Sequence, residues 1–324
     1  MHTLPSLLAA INNYAAAHPF PATPRELYEP CDYMLALGGK RLRPAMLLMA
    51  YELFHDNVEQ ALPAAWAVEL FHNFTLMHDD IMDAAPLRRG QPTVHTRWST
   101  TTGILSGDVM LIHAYRHLAR FDDSVIVADL IDTFNRVAIE VCEGQQYDVN
   151  FETRQNVTLP EYIRMIELKT AVLLGGALEM GAMCARAHHE QALHLYEFGR
   201  LAGIAFQIQD DLLDTYGDPE KFGKQVGGDI LQNKKTFLVL KTLELASEAD
   251  RQELEYWMQT GADKPVKISA VRAIFDRNGI PELVFAEKQR YQEEAFGHLA
   301  AVEVPEARKA LLRGTMEELL VREH

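Results

Sequence analysis

Apolar residues recur along most of this chain at intervals of three and four, the spacing of one face of an α-helix. Met46, Met49, Ala50 and Leu53 follow that rhythm after Pro44, whose ring is tolerated near a helix start. The same periodicity predicts helices over roughly 61–83, 106–121, 124–150, 161–187, 190–215, 234–247, 267–278, 281–299 and 304–321. Alternating runs rich in Val, Ile and Thr are nearly absent, and no Asn-Gly or Asp-Gly hairpin joins such runs. Segments 171–185 and 201–208 are apolar almost all the way round, which marks helices buried inside a large bundle. Breaks at Gly38-Gly39, 84–92, 217–228 and 261–265 are too short and too poor in Ser and Pro for interdomain linkers. The expectation is an all-α, single-domain large helical bundle spanning residues 1–324.

Composition narrows the function classes. With 48% hydrophobic residues the chain can bury a sizeable core, and 46 acidic against 31 basic residues give a net charge of −15. That balance disfavours nucleic acid as a partner, and an anionic small substrate would need clustered cations or bridging metals. Cys31, Cys142 and Cys184 lack paired spacing and read as small buried core residues in a reducing compartment. The apolar stretch from Leu4 to Ala17 has no basic flank and contains Asn12 and Asn13, unlike a signal peptide. No apolar run approaches the roughly 20 residues of a membrane span, so the expected location is the cytoplasm, with no integral membrane segment.

Two carboxylate clusters interrupt this apolar pattern. Asp79-Asp80-Ile81-Met82-Asp83 ends the run from Leu70 to His78, and Asp210-Asp211-Leu212-Leu213-Asp214 follows Ile204 to Gln209. At 3.6 residues per turn the first and last aspartates of each cluster share a helix face, a like-charge pairing that opposes the helix by about 0.2–0.5 kcal/mol. One such cluster is compatible with a solvated helix end; two in apolar helices point to a cation. Carboxylates without Cys or a His pair suit Mg2+, which keeps several waters and bridges carboxylates to phosphates.

Cations gather beside these clusters despite the net negative charge. Arg88-Arg89-Gly90 follows the first; Lys221, Lys224, Lys234 and Lys235 follow the second. Gly38-Gly39-Lys40-Arg41-Leu42-Arg43-Pro44 places three cations and two glycines just before a helix, where backbone N–H groups favour an anion. Basic residues in a loop can equally be solvated. Lys169-Thr170 lies among Ile166, Leu168, Ala171, Val172, Leu173 and Leu174, where a lysine needs an anion: a substrate, or a structural carboxylate such as Glu161 or Glu167.

In order, these motifs resemble the trans-prenyl diphosphate synthases, which include farnesyl and geranylgeranyl diphosphate synthases. They are GGKRLRP at 38–44, HDDIMD at 78–83, RRG at 88–90, GQQYD at 144–148, KT at 169–170, FQIQDDLLD at 206–214 and FGKQVGGD at 222–229. The resemblance covers roughly residues 25–245 and leaves the C-terminal stretch, about 246–324, with helical pattern alone. It implies an isoprenoid synthase fold with a central active-site cavity, a homodimer, and Mg2+ at three ions per site. It also implies head-to-tail condensation of an allylic diphosphate with isopentenyl diphosphate by ionisation, condensation and elimination. Asp79, Asp83 and Asp210 would ligate metal, with Asp80, Asp211 and Asp214 supporting. Arg88, Lys169, Lys224 and Lys234 would hold the allylic diphosphate. Gly39, Lys40, Arg43, His72 and Arg89 would hold isopentenyl diphosphate, though His72 also reads as a core histidine. Thr170, Gln207 and the Lys169 carbonyl would face the carbocation, and Gln145 and Asp148 would support these groups.

Phe74 and Phe71 precede Asp79 by five and eight residues, on one helix face roughly 7.5 and 12 Å down the axis. A prenyl tail would run past them, and Phe74 should block it; Thr75, not aromatic, departs from the bulky pair of animal and fungal farnesyl synthases. A C20 product is favoured over C15, with Met110 and His113 as an opposite wall. A class I terpene cyclase would carry an Asn/Ser/Glu second metal motif, and a non-catalytic partner subunit commonly loses one carboxylate cluster. This chain keeps both DDxxD clusters and two cation sets.

Overall fold

Capping residues and prolines set where the helices begin. In the computed structural model, which describes residues 2–217, 226–260 and 263–321, the Thr3 side chain and Ser6 form a capping box that opens α1 (Leu4–Ala17). Next come α2 (Arg25–Ala36), α3 (Leu42–Glu52), a 3-10 turn (Val58–Ala61) and α4 (Leu62–Met82). A two-residue hairpin, β1 (Leu87–Arg88) and β2 (Gln91–Pro92), leads to α5 (Val94–Arg97) and α6 (Thr100–Leu118). Beyond lie α7 (Ser124–Thr153), α8 (Leu159–Ile166), a π-turn (Glu167–Ala171), α9 (Val172–Cys184) and α10 (His189–Tyr216). The chain finishes with α11 (Gly228–Leu231), α12 (Phe237–Leu245), α13 (Glu248–Gln259), α14 (Lys264–Arg277), α15 (Ile280–Ala301) and α16 (Glu306–Leu320).

These elements form two compact units: residues 1–135, 177–195 and 303–312, and residues 136–176, 196–302 and 313–324. In the first, α4 lies along α6 and against α3 and α1. Leu47, Leu48, Val68, Leu70, Phe71, Met77 and Met110 fill its core. In the second, α12 packs on α8 and α15, and α14 packs on α11, α13 and α15. Ile204, Ile208, Phe237, Leu238, Val271, Ile274 and Phe275 form its apolar centre.

The all-α expectation holds, and every helix predicted from periodicity is present within a few residues, except that 161–187 is divided by the π-turn. Among the described residues, the four-residue helices α5 and α11 and three longer ones, α2, α13 and α1, lie outside those predictions. In α2, Pro30 and the three acidic residues Glu26, Glu29 and Asp32 break the apolar stripe, and in α13 only Leu254 is buried. The third, α1, buries just Leu7 and Ile11. The cysteine reading needs one correction. Cys31 and Cys184 are buried, but Cys142 is exposed on α7, because apolar periodicity does not say which face of a helix is left uncovered.

Candidate active site

The first carboxylate cluster closes α4, with Asp83 as its C-cap. The three aspartates differ in exposure: Asp80 is buried, Asp79 half-buried and Asp83 exposed, so the cluster is not uniformly embedded as its apolar lead-in suggests. The hairpin after α4 supplies the counter-charge. Its Arg89-Gly90 turn has positive φ at both residues, and Arg88 Nε donates to both Asp80 oxygens at 2.9 Å. A terminal nitrogen of Arg88 also lies 3.5 Å from Asp79 Oδ2.

Arg89 turns toward the GGKRLRP segment. Gly39 adopts φ +149, and a Cβ there would stand 3.0 Å from the Arg89 guanidinium, so glycine is what admits the cation. The three cations of that segment separate. Lys40 is exposed, Arg41 bonds Asn12 of α1 and lies over Trp66, and Arg43 donates to His72 Nε2 at 3.2 Å. Burial, reinforced by Arg43, Arg89 and Arg88, holds the His72 imidazole well below its usual pKa. It therefore stays neutral and accepts from Arg43 instead of adding charge. Arg43 Nε is buried without a hydrogen-bond partner among the described residues, a donor suited to an anionic ligand.

The second unit carries the other cluster, near the end of α10. Asp211 is buried, accepts the Phe237 N–H at 3.0 Å and takes a short hydrogen bond from the Tyr162 hydroxyl. Burial pushes its pKa up to about 7 against the pull of those donors. Asp214 accepts the Asp229 N–H at 2.9 Å through its side chain and the Gly227 N–H at 2.6 Å through its carbonyl, tying residues 227–229 to α10. Asp210 is half-buried. Lys234 is exposed, 3.4 Å from Asp229, while Lys221 and Lys224 lie outside the described residues.

Lys169 and Thr170 sit in the π-turn, a single turn of π-helix of a kind frequent at functional sites. Lys169 Nζ donates to Asp148 Oδ2 at 2.5 Å. Neither Glu161 nor Glu167 takes that part. Glu161 is held by Arg154 and caps α8, and Glu167 is held by Arg164 and Arg200. The turn is closely confined: a Cβ on Gly144 of α7 would lie 2.2 Å from the Lys169 amide nitrogen, and one on Gly203 of α10 would lie 2.7 Å from Ala171 Cα. Thr170, Gln207 and Gln145 are half-buried.

Below the first cluster, the Phe71 and Phe74 rings stand 5.7 Å apart, and the Thr75 hydroxyl donates to the His72 carbonyl. Met110 is fully buried; His113 packs edge-on against Phe20 at 4.9 Å. Among the described residues, no three His, Cys, Asp or Glu side chains converge as a preformed metal cage. The donors are hard oxygens, and they fit an ion completed by water and phosphate. Sequence reasoning missed the π-turn, the Tyr162–Asp211 bond and the Gly144 and Gly203 contacts. Only Gly144 carried a signal, as the first residue of GQQYD.

An all-helical frame carrying two DDxxD turns, each with its own basic side chains, defines the class of the isoprenoid synthases. The chain belongs to the polyprenyl synthetase family, whose sequence model matches residues 24–275. It is 44% identical over 228 residues to the geranylgeranyl diphosphate synthase of Methanosarcina mazei, covering 70% of each chain. It is 38% identical over 302 residues to the short chain isoprenyl diphosphate synthase of Methanothermobacter thermautotrophicus, covering 93% of this chain and 92% of the relative. A crystal structure of a geranylgeranyl pyrophosphate synthase superposes with a TM-score of 0.95 at 43% identity over the whole of both chains. Among the described residues no helix is long and apolar enough to cross a membrane.

Proposed function

We propose that this prenyltransferase joins an allylic isoprenoid diphosphate (dimethylallyl, geranyl or farnesyl) to isopentenyl diphosphate, head to tail, and releases a C20 product. One observation carries the reading: the described residues include two kinds of basic group, Arg43 on the neutral His72 with Arg89 beside Gly39, and Arg88, Lys169 and Lys234, each on its own aspartate. Two diphosphates need two such sets. The family match runs through both units, which supports one catalytic domain over residues 1–324.

Asp79, Asp83 and Asp210 are the proposed Mg2+ ligands, three ions in all, with Asp80, Asp211 and Asp214 supporting them. Bound there, Mg2+ would neutralise charge on the departing diphosphate. Arg88, oriented by Asp80, together with Lys169, Lys224 and Lys234 holds the allylic diphosphate. Gly39, Lys40, Arg43, His72 and Arg89 hold isopentenyl diphosphate. As the allylic C–O bond ionises, the dipoles of Thr170, Gln207 and the Lys169 carbonyl face the cation. The isopentenyl alkene attacks, and the released diphosphate takes the proton that restores the double bond, so no Ser, Cys or His acts on carbon. Asp148 fixes the Lys169 ammonium, with Gln145 beside it on α7.

Phe74 ends the tail pocket in this reading. The half-buried ring lies against the buried Phe71, and the likeness to geranylgeranyl diphosphate synthases supports C20, with C15 as the second reading. A homodimer is supported by the uncovered apolar face of α6, where Ile104, Leu105 and Ile112 are 44%, 54% and 59% exposed. The proposed setting is the cytoplasm. Radiolabelled isopentenyl diphosphate incubated with each allylic primer, with Mg2+ or EDTA, tests the whole. Mg2+-dependent geranylgeraniol after dephosphorylation supports the proposal, farnesol alone corrects the tail pocket, and no condensation by folded protein overturns the reaction.

A further inference from the structure

The residue before the first aspartate, His78, belongs to none of the roles above, yet its ring is held from two sides. Its Nε2–H donates to the Ile104 carbonyl of α6 at 3.2 Å, and the same nitrogen lies 3.9 Å from Asp108 Oδ1. The ring occupies the space where a side chain at 107 would begin: a Cβ on Gly107 would stand 2.3 Å from His78 Nε2. One turn earlier, Gly103 gives the same clearance to Ile81, so α6 is built to seat this end of α4.

On its other side His78 meets Phe74 edge to face, with ring centroids 4.8 Å apart. Phe74 then meets Phe71 at 5.7 Å, Phe71 meets Phe134 at 5.2 Å, and Phe134 meets Tyr115 at 5.0 Å. Phe71 and Phe134 are buried, and the Tyr115 hydroxyl is bonded to Asn135. Phe74 is thus a half-buried member of a column of rings, with the buried Phe71 and Phe134 on one side of it and His78 on the other. A phenylalanine swings aside by rotating about χ1, and His78 stands in one direction of that rotation.

We infer that His78, seated on Gly107, is a specificity-determining positioning residue that keeps Phe74 across the path of the prenyl tail. This inference rests on the reading of Phe74 as the end of the tail pocket. Phe74 alone does not set product length; the wedge behind it does so with it.

Product length separates this role from a merely structural one. In single-turnover condensation with excess enzyme, His78→Ala raises the ratio of C25 to C20 product about tenfold, the discrimination a hydrophobic pocket draws from a small change in fit. Gly107→Ala, whose new methyl displaces the ring, does the same, and the double variant goes no further than either single one because both remove one wedge. His78→Phe, which keeps a ring in place, retains the original length. If Phe74→Ala lengthens the product while His78→Ala and Gly107→Ala leave it unchanged, the inference is overturned and the tail-pocket reading stands. If Phe74→Ala has no effect, the tail-pocket reading fails and the inference with it. Should His78→Ala lose turnover through its neighbour Asp79, Gly107→Ala decides the question by itself, and its melting curve shows whether it is folded.

Discussion

Gly144→Ala tests whether the π-turn's position matters to catalysis. The new Cβ would lie 2.2 Å from the Lys169 amide nitrogen and 2.6 Å from the Leu168 carbonyl carbon, whereas ordinary contact begins near 3.4 Å. The turn must therefore move by about 1.2 Å, and the atoms met are backbone, so no rotamer change relieves the clash. Retreat is limited, because Ala171 already lies against Gly203. Asp148 stands one turn beyond Gly144 on the same face of α7, so the shift also stretches the 2.5 Å bond that holds the Lys169 ammonium. A misplacement near 1 Å costs about 10²-fold in rate, or roughly 2.7 kcal/mol of transition-state stabilisation, and overpacking of this kind costs about 1–3 kcal/mol of stability. Steady-state kinetics should show kcat/KM for the allylic substrate falling about 100-fold while KM for isopentenyl diphosphate stays within about twofold. Gly297→Ala, at a helical site with nothing within 4 Å, is the control and should leave both unchanged. A folded Gly144→Ala enzyme with wild-type kinetics, or one that loses both substrates equally, refutes the assignment.

Three further predictions rest on other contacts. Gly39→Ala strains a positive φ and meets the Arg89 guanidinium at 3.0 Å, so KM for isopentenyl diphosphate should rise about tenfold, with that for the allylic substrate little changed, in initial-rate assays. Asp211→Ala leaves the buried Tyr162 hydroxyl and Phe237 N–H without their acceptor, at about 1–3 kcal/mol for each, and adding Tyr162→Phe should cost less than the sum in thermal melts. The third concerns pH. His117, buried and flanked by Arg120, His18, His113 and Arg116 with Tyr14 bonded to its Nδ1, has its pKa lowered to about 4 from the usual 6.5, chiefly by burial. Between those values the unfolded chain binds more protons, so stability present above pH 6.5 is lost as pH falls toward 4, by about 3 kcal/mol at most. Melting temperatures of His117→Phe across that window should fall less than those of the wild type; an identical slope would assign the acid limb to other groups.

What the sequence displayed and what it hid divide along a physical line. Helices with an apolar stripe were legible, since burial of one face leaves a 3.6-residue rhythm whatever the tertiary contacts. The aspartate turns and basic segments were legible for the opposite reason: charge inside an apolar run is costly and therefore conspicuous. The middle aspartate of each cluster shows where that legibility ends. Asp80 and Asp211 look identical in DDIMD and DDLLD, yet one is neutralised by Arg88 eight residues on and the other accepts a hydrogen bond from a tyrosine 49 residues back. Lys169 likewise announced its need for an anion without naming Asp148, 21 residues away.

The contacts hardest to read are those made by glycine. Gly107, Gly144 and Gly203 are silent in a hydrophobic pattern, and in a helix each is on its face a liability of about 1 kcal/mol against alanine. Their value lies in what comes within 3 Å of a Cβ that is not there: the His78 ring, the Lys169 amide and the Ala171 backbone. Each of these neighbours either adjoins or belongs to a residue that the chemistry needs in one place. Helical glycines whose missing side chain would strike a backbone or a ring next to a charged motif therefore mark where the scaffold fixes geometry, whereas Gly297 and Gly314, which face open space, do not. That distinction can be drawn only from coordinates, because the sequence writes both kinds of glycine with the same letter.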